Sequence, residues 1–123
     1  MADKKAVDQL KMERTTAKAS FTRLVNSLTR NHDDLSEEEL RDSFKTLITA
    51  AEKVMEANEK VEAKLLTQLK DGETELTQAQ REDLDNTSKE CESKRTEVKG
   101  LLQKTLWDKF GKDHSSSGSR GSV

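Results

Sequence analysis

Apolar residues recur at every third or fourth position along three stretches of the chain, the spacing that places side chains on one face of an α-helix. The first stretch is interrupted only by Arg14, and its apolar members are Val7, Leu10, Ala17, Phe21, Leu24 and Leu28. This stripe predicts a first helix over about residues 4–30. Its width is that of the narrow seam by which helices pack in coiled coils.

The second and third stripes follow the same spacing with a few polar interruptions. The second is interrupted by Asn58, and its apolar members are Leu40, Phe44, Leu47, Ala51, Val54, Val61 and Leu65. The third is interrupted by Ser88 and Arg95, and its other members are Leu84, Cys91, Val98, Leu102 and Leu106. These stripes predict a second helix over about residues 37–70 and a third over about residues 78–110.

The acidic run DDLSEEELRDSF stands where the second helix is predicted to begin. Ser36 and Glu39 have the spacing of a capping box, in which each side chain accepts a hydrogen bond from the other residue's backbone N–H. Carboxylates in a first helical turn also face the positive end of the helix dipole, each for about 0.3–1 kcal/mol. An EF-hand loop would need a glycine at its turn and a different ligand spacing. The run therefore predicts a helix start and not a metal site.

Two features of the sequence mark where helical structure ends. Gly72 follows the second stripe, and glycine suits the left-handed backbone just past a helix C-terminus. After Phe110 the sequence GKDHSSSGSRGSV has no apolar residue before its last position, so burial cannot offset the entropy lost on ordering it. We therefore expect one helical domain over residues 1–110 and a disordered tail over residues 111–123.

Helices of this length with short connections pack side by side, each antiparallel to the next. The predicted fold class is therefore all-α, an elongated antiparallel three-helix bundle of the coiled-coil kind. A reversal of the chain near residues 72–76 would place Phe44 level with residue 104, so that the aromatic side chains gather at one end of the bundle.

Arg14, Asn58 and Cys91 fall at similar heights in this bundle, and we expect them to form a polar layer within the seam. A polar residue at a seam position fixes the register of helices at a cost in stability. We therefore expect that replacing Asn58 by leucine raises the melting temperature and widens the range of assemblies. Arg14 is expected to lie nearer the surface.

Composition favours long helices over a globular enzyme. Of the 123 residues, 37% are charged and 31% hydrophobic, and proline and tyrosine are absent. Such usage is typical of long amphipathic helices. The single cysteine, Cys91, cannot form an internal disulfide and fits a reducing compartment. The sequence shows no apolar stretch of the signal-peptide or membrane-spanning kind, so we expect an intracellular, cytoplasmic protein with no membrane partner.

Charge is distributed unevenly along the chain. Residues 1–30 hold seven Lys or Arg against three Asp or Glu, whereas residues 31–73 hold six against twelve. The interpretation we favour is that the basic first helix lies antiparallel against the acidic second helix. A basic segment also suits a phosphate backbone, but the sequence shows no dense basic face, so nucleic acid is not an expected partner.

Residues able to do chemistry are few and scattered. Cys91 has no histidine near it in the predicted bundle, because His32 lies in a turn at the far end and His114 in the tail. His32 with Asp33 and Asp34 lacks the further histidine or cysteine ligands of a metal site. We therefore predict no catalytic, cofactor-binding or metal site and no small-molecule substrate.

The third helix is predicted to end in an aromatic pair, Trp107 and Phe110. Two interpretations are open. The pair covers the aromatic end of the bundle, which we favour, or it anchors a protein partner, because such rings combine a large apolar area with specific contact geometry.

Three segments together resemble a known family. They are ERTTAKASFTRLVNSLTR, LSEEELRDSFKTLITAAEKVMEANEKVEAKL and CESKRTEVKGLLQKTLW. They resemble the N-terminal helical region of Gag-like proteins from BEL/Pao-type retroelements, over about residues 10–110. The resemblance implies a non-enzymatic, retroelement-derived assembly segment or remnant, whose partner is a copy of itself or another helical protein.

Two other hypotheses remain. A spectrin-repeat-like adaptor bundle matches in length and helix count, but such repeats usually carry a tryptophan in their first helix, and the only tryptophan here is Trp107 in the third. A weak nucleic-acid-binding helical protein would need a basic face that the sequence does not show. We therefore favour a protein-interaction module.

Overall fold

The computed structural model describes residues 2–111, and the chain is mostly helical over this range. The described part contains three long helices, α1 (Ala2–Asn31), α2 (Glu37–Thr67) and α3 (Gln78–Leu106). A short 3-10 turn, His32–Asp34, follows α1, and a π-helical turn, Trp107–Gly111, follows α3. The predicted all-α three-helix bundle is confirmed. Of the predicted tail, Gly111 lies in the π-helical turn, and residues 112–123 lie outside the described residues.

Two apolar clusters form the core, one towards each end of the bundle. The larger contains the buried residues Phe21, Val25, Leu28, Leu40, Leu47, Ala51, Val54, Cys91, Val98 and Leu102. The smaller contains Val7, Val61, Leu65, Leu76 and Leu84. Because each cluster joins the end of one helix to the start of the next, consecutive helices run antiparallel.

The register of α2 against α3 differs from the predicted one. Cys91 contacts the carbonyl of Ala51, and the carbonyl of Leu84 contacts Asn58, so the residue numbers in both pairs add to 142. Phe44 therefore lies level with about residue 98 and not with residue 104. The physical reason lies in the connection between the helices.

Leu76 lies in this connection and makes the shift possible. It precedes α3 and is buried in the smaller apolar cluster, so it brings the connection back onto the bundle before the helix begins. The chain therefore reverses nearer to Asp71 than to the middle of the predicted turn.

The basic α1 packs along the acidic α2, but their charged side chains do not pair. Among residues 5–111 no ion pair joins the two helices, and the ion pair that α1 makes runs from Arg14 to Asp83 of α3. The contact between α1 and α2 therefore depends mainly on apolar burial, which is non-directional and proportional to the area removed from water.

The acidic run begins α2 through the capping box that the sequence indicated. The Ser36 hydroxyl accepts a hydrogen bond from the Glu39 backbone N–H at 3.1 Å, and the Glu39 carboxylate accepts one from the Ser36 N–H at 2.9 Å. Leu40 is fully buried, and Leu35 packs against the same cluster. Thr77 and Gln80 make the corresponding pair of hydrogen bonds at the start of α3. The acidic run at the start of α2 therefore begins a helix.

Replacing Ser36 by alanine should lower the free energy of unfolding by about 0.5–2 kcal/mol, because a backbone N–H at the helix start loses its acceptor. Urea titration followed by circular dichroism measures this loss. Glu38→Gln is the matched control, since Glu38 is exposed and contributes only through the helix dipole, by at most about 0.3–1 kcal/mol. Equal losses for the two variants would contradict a specific role for the cap.

Gly100 and Gly72 should respond in opposite ways to alanine. Gly100 lies inside α3, and nothing lies within 4 Å of a Cβ atom built there. Gly100→Ala should therefore stabilise the chain by about 0.5–1 kcal/mol. Gly72 has φ of +90°, where an L-residue is strained, so Gly72→Ala should destabilise by about 1–2 kcal/mol. Urea titration at low protein concentration compares the two, and a change of the same sign in both would contradict this assignment.

Candidate functional site

Arg14 and Asn58, the polar residues that interrupt the first two seams, contact each other inside the bundle. The Nη1 of Arg14 donates to the Oδ1 of Asn58 at 2.9 Å, and the Nδ2 of Asn58 donates to the carbonyl of Leu84 at 2.9 Å. The Nη2 of Arg14 forms an ion pair with Asp83 at 2.8 Å. One connected set of hydrogen bonds therefore crosses from α1 through α2 to α3.

The prediction that Arg14 lies near the surface is wrong. Its side chain is only 9% exposed, whereas its partner Asp83 is 47% exposed. A guanidinium is costly to bury unless it is paired and hydrogen-bonded, and Asp83 and Asn58 meet both conditions. Sequence reasoning did not select Asp83. The sequence did indicate that a partner exists, because an arginine in an apolar seam needs a carboxylate within reach.

Cys91 does not belong to this layer, so that part of the prediction is wrong. It lies seven residues, about two helical turns, beyond Leu84 on α3. Its Sγ is 3.6 Å from the carbonyl oxygen of Ala51, and the residue is buried in the larger apolar cluster. Burial raises the pKa of the Cys91 thiol, while Arg95 lowers it and Glu92 raises it. A buried thiol with a raised pKa is a core group and a poor nucleophile.

His32 contacts Thr105 rather than a thiol or a metal ligand set. The His32 Nδ1 lies 2.8 Å from the Thr105 hydroxyl and 3.4 Å from the Asp33 carboxylate. The Thr105 hydroxyl donates its proton to the carbonyl of Leu101 at 2.8 Å, so it accepts from the ring and Nδ1 carries the proton. The contact fastens the turn after α1 to the end of α3. The sequence indicated only a polar turn, because the two residues lie far apart along the chain.

The aromatic pair at the end of α3 divides between core and surface. Phe110 is half-buried and packs against the larger apolar cluster, whereas Trp107 is 56% exposed. A Cβ atom at Gly111 would collide with the Trp107 ring, so the indole lies over the glycine backbone. Phe110 therefore packs onto the end of the bundle, whereas more than half of the Trp107 surface stays exposed.

Trp107 borders a groove between α2 and α3, which we call the α2/α3 groove. One section of the groove is lined by Glu37, Arg41, Gln103, Leu106, Trp107, Phe110 and Gly111. Gln103 also lines the next section, together with Ile48, Arg95, Thr96, Lys99 and Gly100. Ile48 is 39% exposed. A groove with exposed apolar side chains and charged borders is suited to binding a helix.

The described chain shows neither a metal centre nor a membrane span. Within residues 2–111, no three His, Cys, Asp or Glu side chains come together in a way that could hold a metal ion. Over the same range, none of the helices combines the length and the apolar composition needed to cross a bilayer. The candidate site is the α2/α3 groove, because Ile48 and Trp107 leave apolar surface exposed along it.

Comparison of the chain with protein-family models, with curated proteins and with solved structures found no match. A functional assignment therefore depends on the chemistry of the groove and on the resemblance in sequence described above.

The hydrogen bonds of Asn58 reverse the expectation for its replacement by leucine. Asn58→Leu should lower the free energy of unfolding by about 1–3 kcal/mol, because Arg14 loses an acceptor and Leu84 a donor in the interior. The double variant Arg14→Leu with Asn58→Leu should recover most of this loss, since replacing a whole buried polar set by apolar side chains is often neutral.

Urea titration of wild type, Arg14→Leu, Asn58→Leu and the double variant completes the cycle. The summed losses of unfolding free energy in the two single variants should exceed the loss in the double variant. Strictly additive losses would show that Arg14 and Asn58 do not depend on each other.

Proposed function

We propose that the chain is a non-enzymatic helical module for protein association. The observation that carries this proposal is the α2/α3 groove, along which Ile48 and Trp107 leave apolar surface in water. Tryptophan is among the residues that contribute most to binding at protein interfaces. Removing apolar surface from water against a partner is favourable. A protein that covers the groove would therefore bury the exposed surface of Ile48 and Trp107.

Four side chains of types used in catalysis have structural roles in the described residues, which supports a non-enzymatic function. The Cys91 thiol is buried against Ala51, and His32 contacts Thr105. Ser36 and Glu39 are occupied by the helix cap. Catalysis would need such groups to converge on an open cleft with perturbed pKa values. The groove between α2 and α3 is bordered instead by Trp107, Ile48 and charged side chains.

We further propose that the association is assembly of a retroelement Gag-derived segment or its remnant. The support is the sequence resemblance of all three helical segments, and a bundle with an exposed apolar groove is compatible with it. A spectrin-repeat-like adaptor is the alternative, and it would bind a different helical protein through the same groove. The two proposals differ in whether the chain binds itself.

Self-association is tested by measuring molar mass and Trp107 emission over a concentration series. Trp107 is the single tryptophan of the sequence and tyrosine is absent, so its emission reports on this groove alone. The molar mass should rise above 13.9 kDa with concentration, and emission should shift to shorter wavelength over the same range as the indole leaves water. A mass of 13.9 kDa at every concentration would contradict assembly.

Trp107→Ala should weaken this association at least about tenfold, because tryptophan is among the residues whose truncation at an interface costs about 2 kcal/mol or more. Met12→Ala is the matched control. Met12 is 65% exposed but lies on α1, away from the groove, so its removal should leave the mass curve unchanged. An equal effect of both substitutions would show that association is a general response to lost apolar surface.

A further inference from the structure

Charged side chains divide the side of the bundle formed by α2 and α3 into two ends of opposite sign. Near the start of α2 this side is lined by the cations Arg41, Arg95 and Lys99 and by the anion Glu37. Arg41 pairs with Glu37 at 3.0 Å. No ion pair in the described chain involves Arg95 or Lys99, so two cations remain without an anionic partner.

The other end carries the reverse arrangement. Towards the end of α2 the same side is lined by the anions Glu59, Glu62 and Asp85 and by the cation Arg81. Asp85 pairs with Lys89 at 2.9 Å. Neither Glu59 nor Glu62 has a cationic partner within residues 5–111, so two anions remain unpaired here.

Exposed apolar side chains accompany the charges at both ends. Ile48 and Trp107 lie at the cationic end. At the anionic end the exposed apolar residue is Leu66, which is 47% exposed and follows Glu59 by seven residues, or about two turns of α2, and the half-buried Met55 also lines this end. Each end therefore combines two unpaired charges with apolar surface. We call this side, with both its ends, the α2/α3 face.

Gly100 marks a point on this face where another chain can approach closely. It lies inside α3 at the cationic end, and no neighbouring side chain among residues 5–111 would touch a Cβ there. A glycine inside a helix lowers helix stability and is of use where another backbone or ligand comes near. Nothing within the described chain requires Gly100, so its use is expected in contact with a partner.

We infer that the α2/α3 face binds a second copy of the chain in antiparallel orientation, related to the first by a two-fold axis perpendicular to the helices. The inference rests on the proposed function, protein association, and specifies its surface and partner. A two-fold axis in this position lays the cationic end of each copy on the anionic end of the other. This axis lays α2 of one copy against α2 of the other and α3 against α3, so the end with Arg95 and Lys99 in each copy lies against the end with Glu59 and Glu62 in the other.

The charges favour this partner and this orientation over others. A parallel pair would bring like charges together at both ends, which disfavours binding. A partner helix of one sign would satisfy one end and leave the other end unpaired, whereas a second copy satisfies both. The apolar side chains follow the same symmetry, because Ile48 and Trp107 meet the end that carries Met55 and Leu66.

Charge reversal in two variants tests this pairing. One carries Arg95→Glu with Lys99→Glu, and the other carries Glu59→Lys with Glu62→Lys. Each alone should weaken self-association at least about tenfold at about 0.1 M salt, because both contacts of its homodimer then join like charges. Mixed in equal amounts, the two variants should form a heterodimer about as tightly as the wild type, since opposite charges meet again at both ends. Sedimentation equilibrium measures each dissociation constant.

Arg23→Glu with Lys53→Glu is the matched control for Arg95→Glu with Lys99→Glu, because it makes the same change in net charge away from the α2/α3 face. Arg23 is exposed on α1, and Lys53 lies on the opposite side of α2, facing α1. This variant should keep the wild-type dissociation constant. Circular dichroism checks that each variant folds, and restored binding in the mixture requires that both variants are folded.

The outcomes separate this inference from the proposed function. If the wild type associates but charge reversal does not weaken it, or if mixing the variants does not restore binding, then the α2/α3 face is not the interface and the inference is wrong while association stands. If the wild type stays monomeric at every concentration, self-association itself fails, and this inference fails with it.

Discussion

The hydrogen bonds that Asn58 makes to Arg14 and to the carbonyl of Leu84 determine how the three helices lie against one another. Apolar seams alone leave the register open, because a shift by seven residues again brings one apolar side chain against another. A shift of the polar residues would bury a guanidinium and an amide without partners, and each unsatisfied group costs more than a typical hydrogen bond contributes. The polar contact therefore selects one register among several that bury similar apolar area.

The surface of the bundle follows from that register. With α3 held in this position, Ile48 of α2 comes beside Lys99 and Gly100, and Arg41 comes beside Trp107. The unpaired carboxylates of α2 come together with Asp85 at the other end. A different register would combine other residues and change the charge pattern of the face. The buried contact of Asn58 with Arg14 and Leu84 thus determines which charged and apolar side chains lie together on the α2/α3 face.

The residues of the candidate site differ in how far sequence alone could identify them. The cap of Ser36 and Glu39 was predictable because its partners lie three residues apart and helical geometry brings them together. Arg14 and Asn58 were recognisable as seam residues, but Asp83, the partner of Arg14, was not, since it lies 69 residues away along the chain, on α3. The exposure of Trp107 was also beyond sequence, because Trp107 and Phe110 follow apolar residues with similar spacing and only packing separates them.

Sequence by itself determined the helices, their starts and their apolar sides, because these depend on interactions between residues three or four positions apart. Tertiary structure decided what depends on contacts between helices. The hydrogen bond from Asn58 to the Leu84 carbonyl holds α3 in a register that leaves Cys91 outside the polar layer and brings Asp83 within reach of Arg14. The physical reason is that apolar burial is non-directional and accepts several alignments, whereas a buried hydrogen bond has a distance and an angle that only one alignment provides.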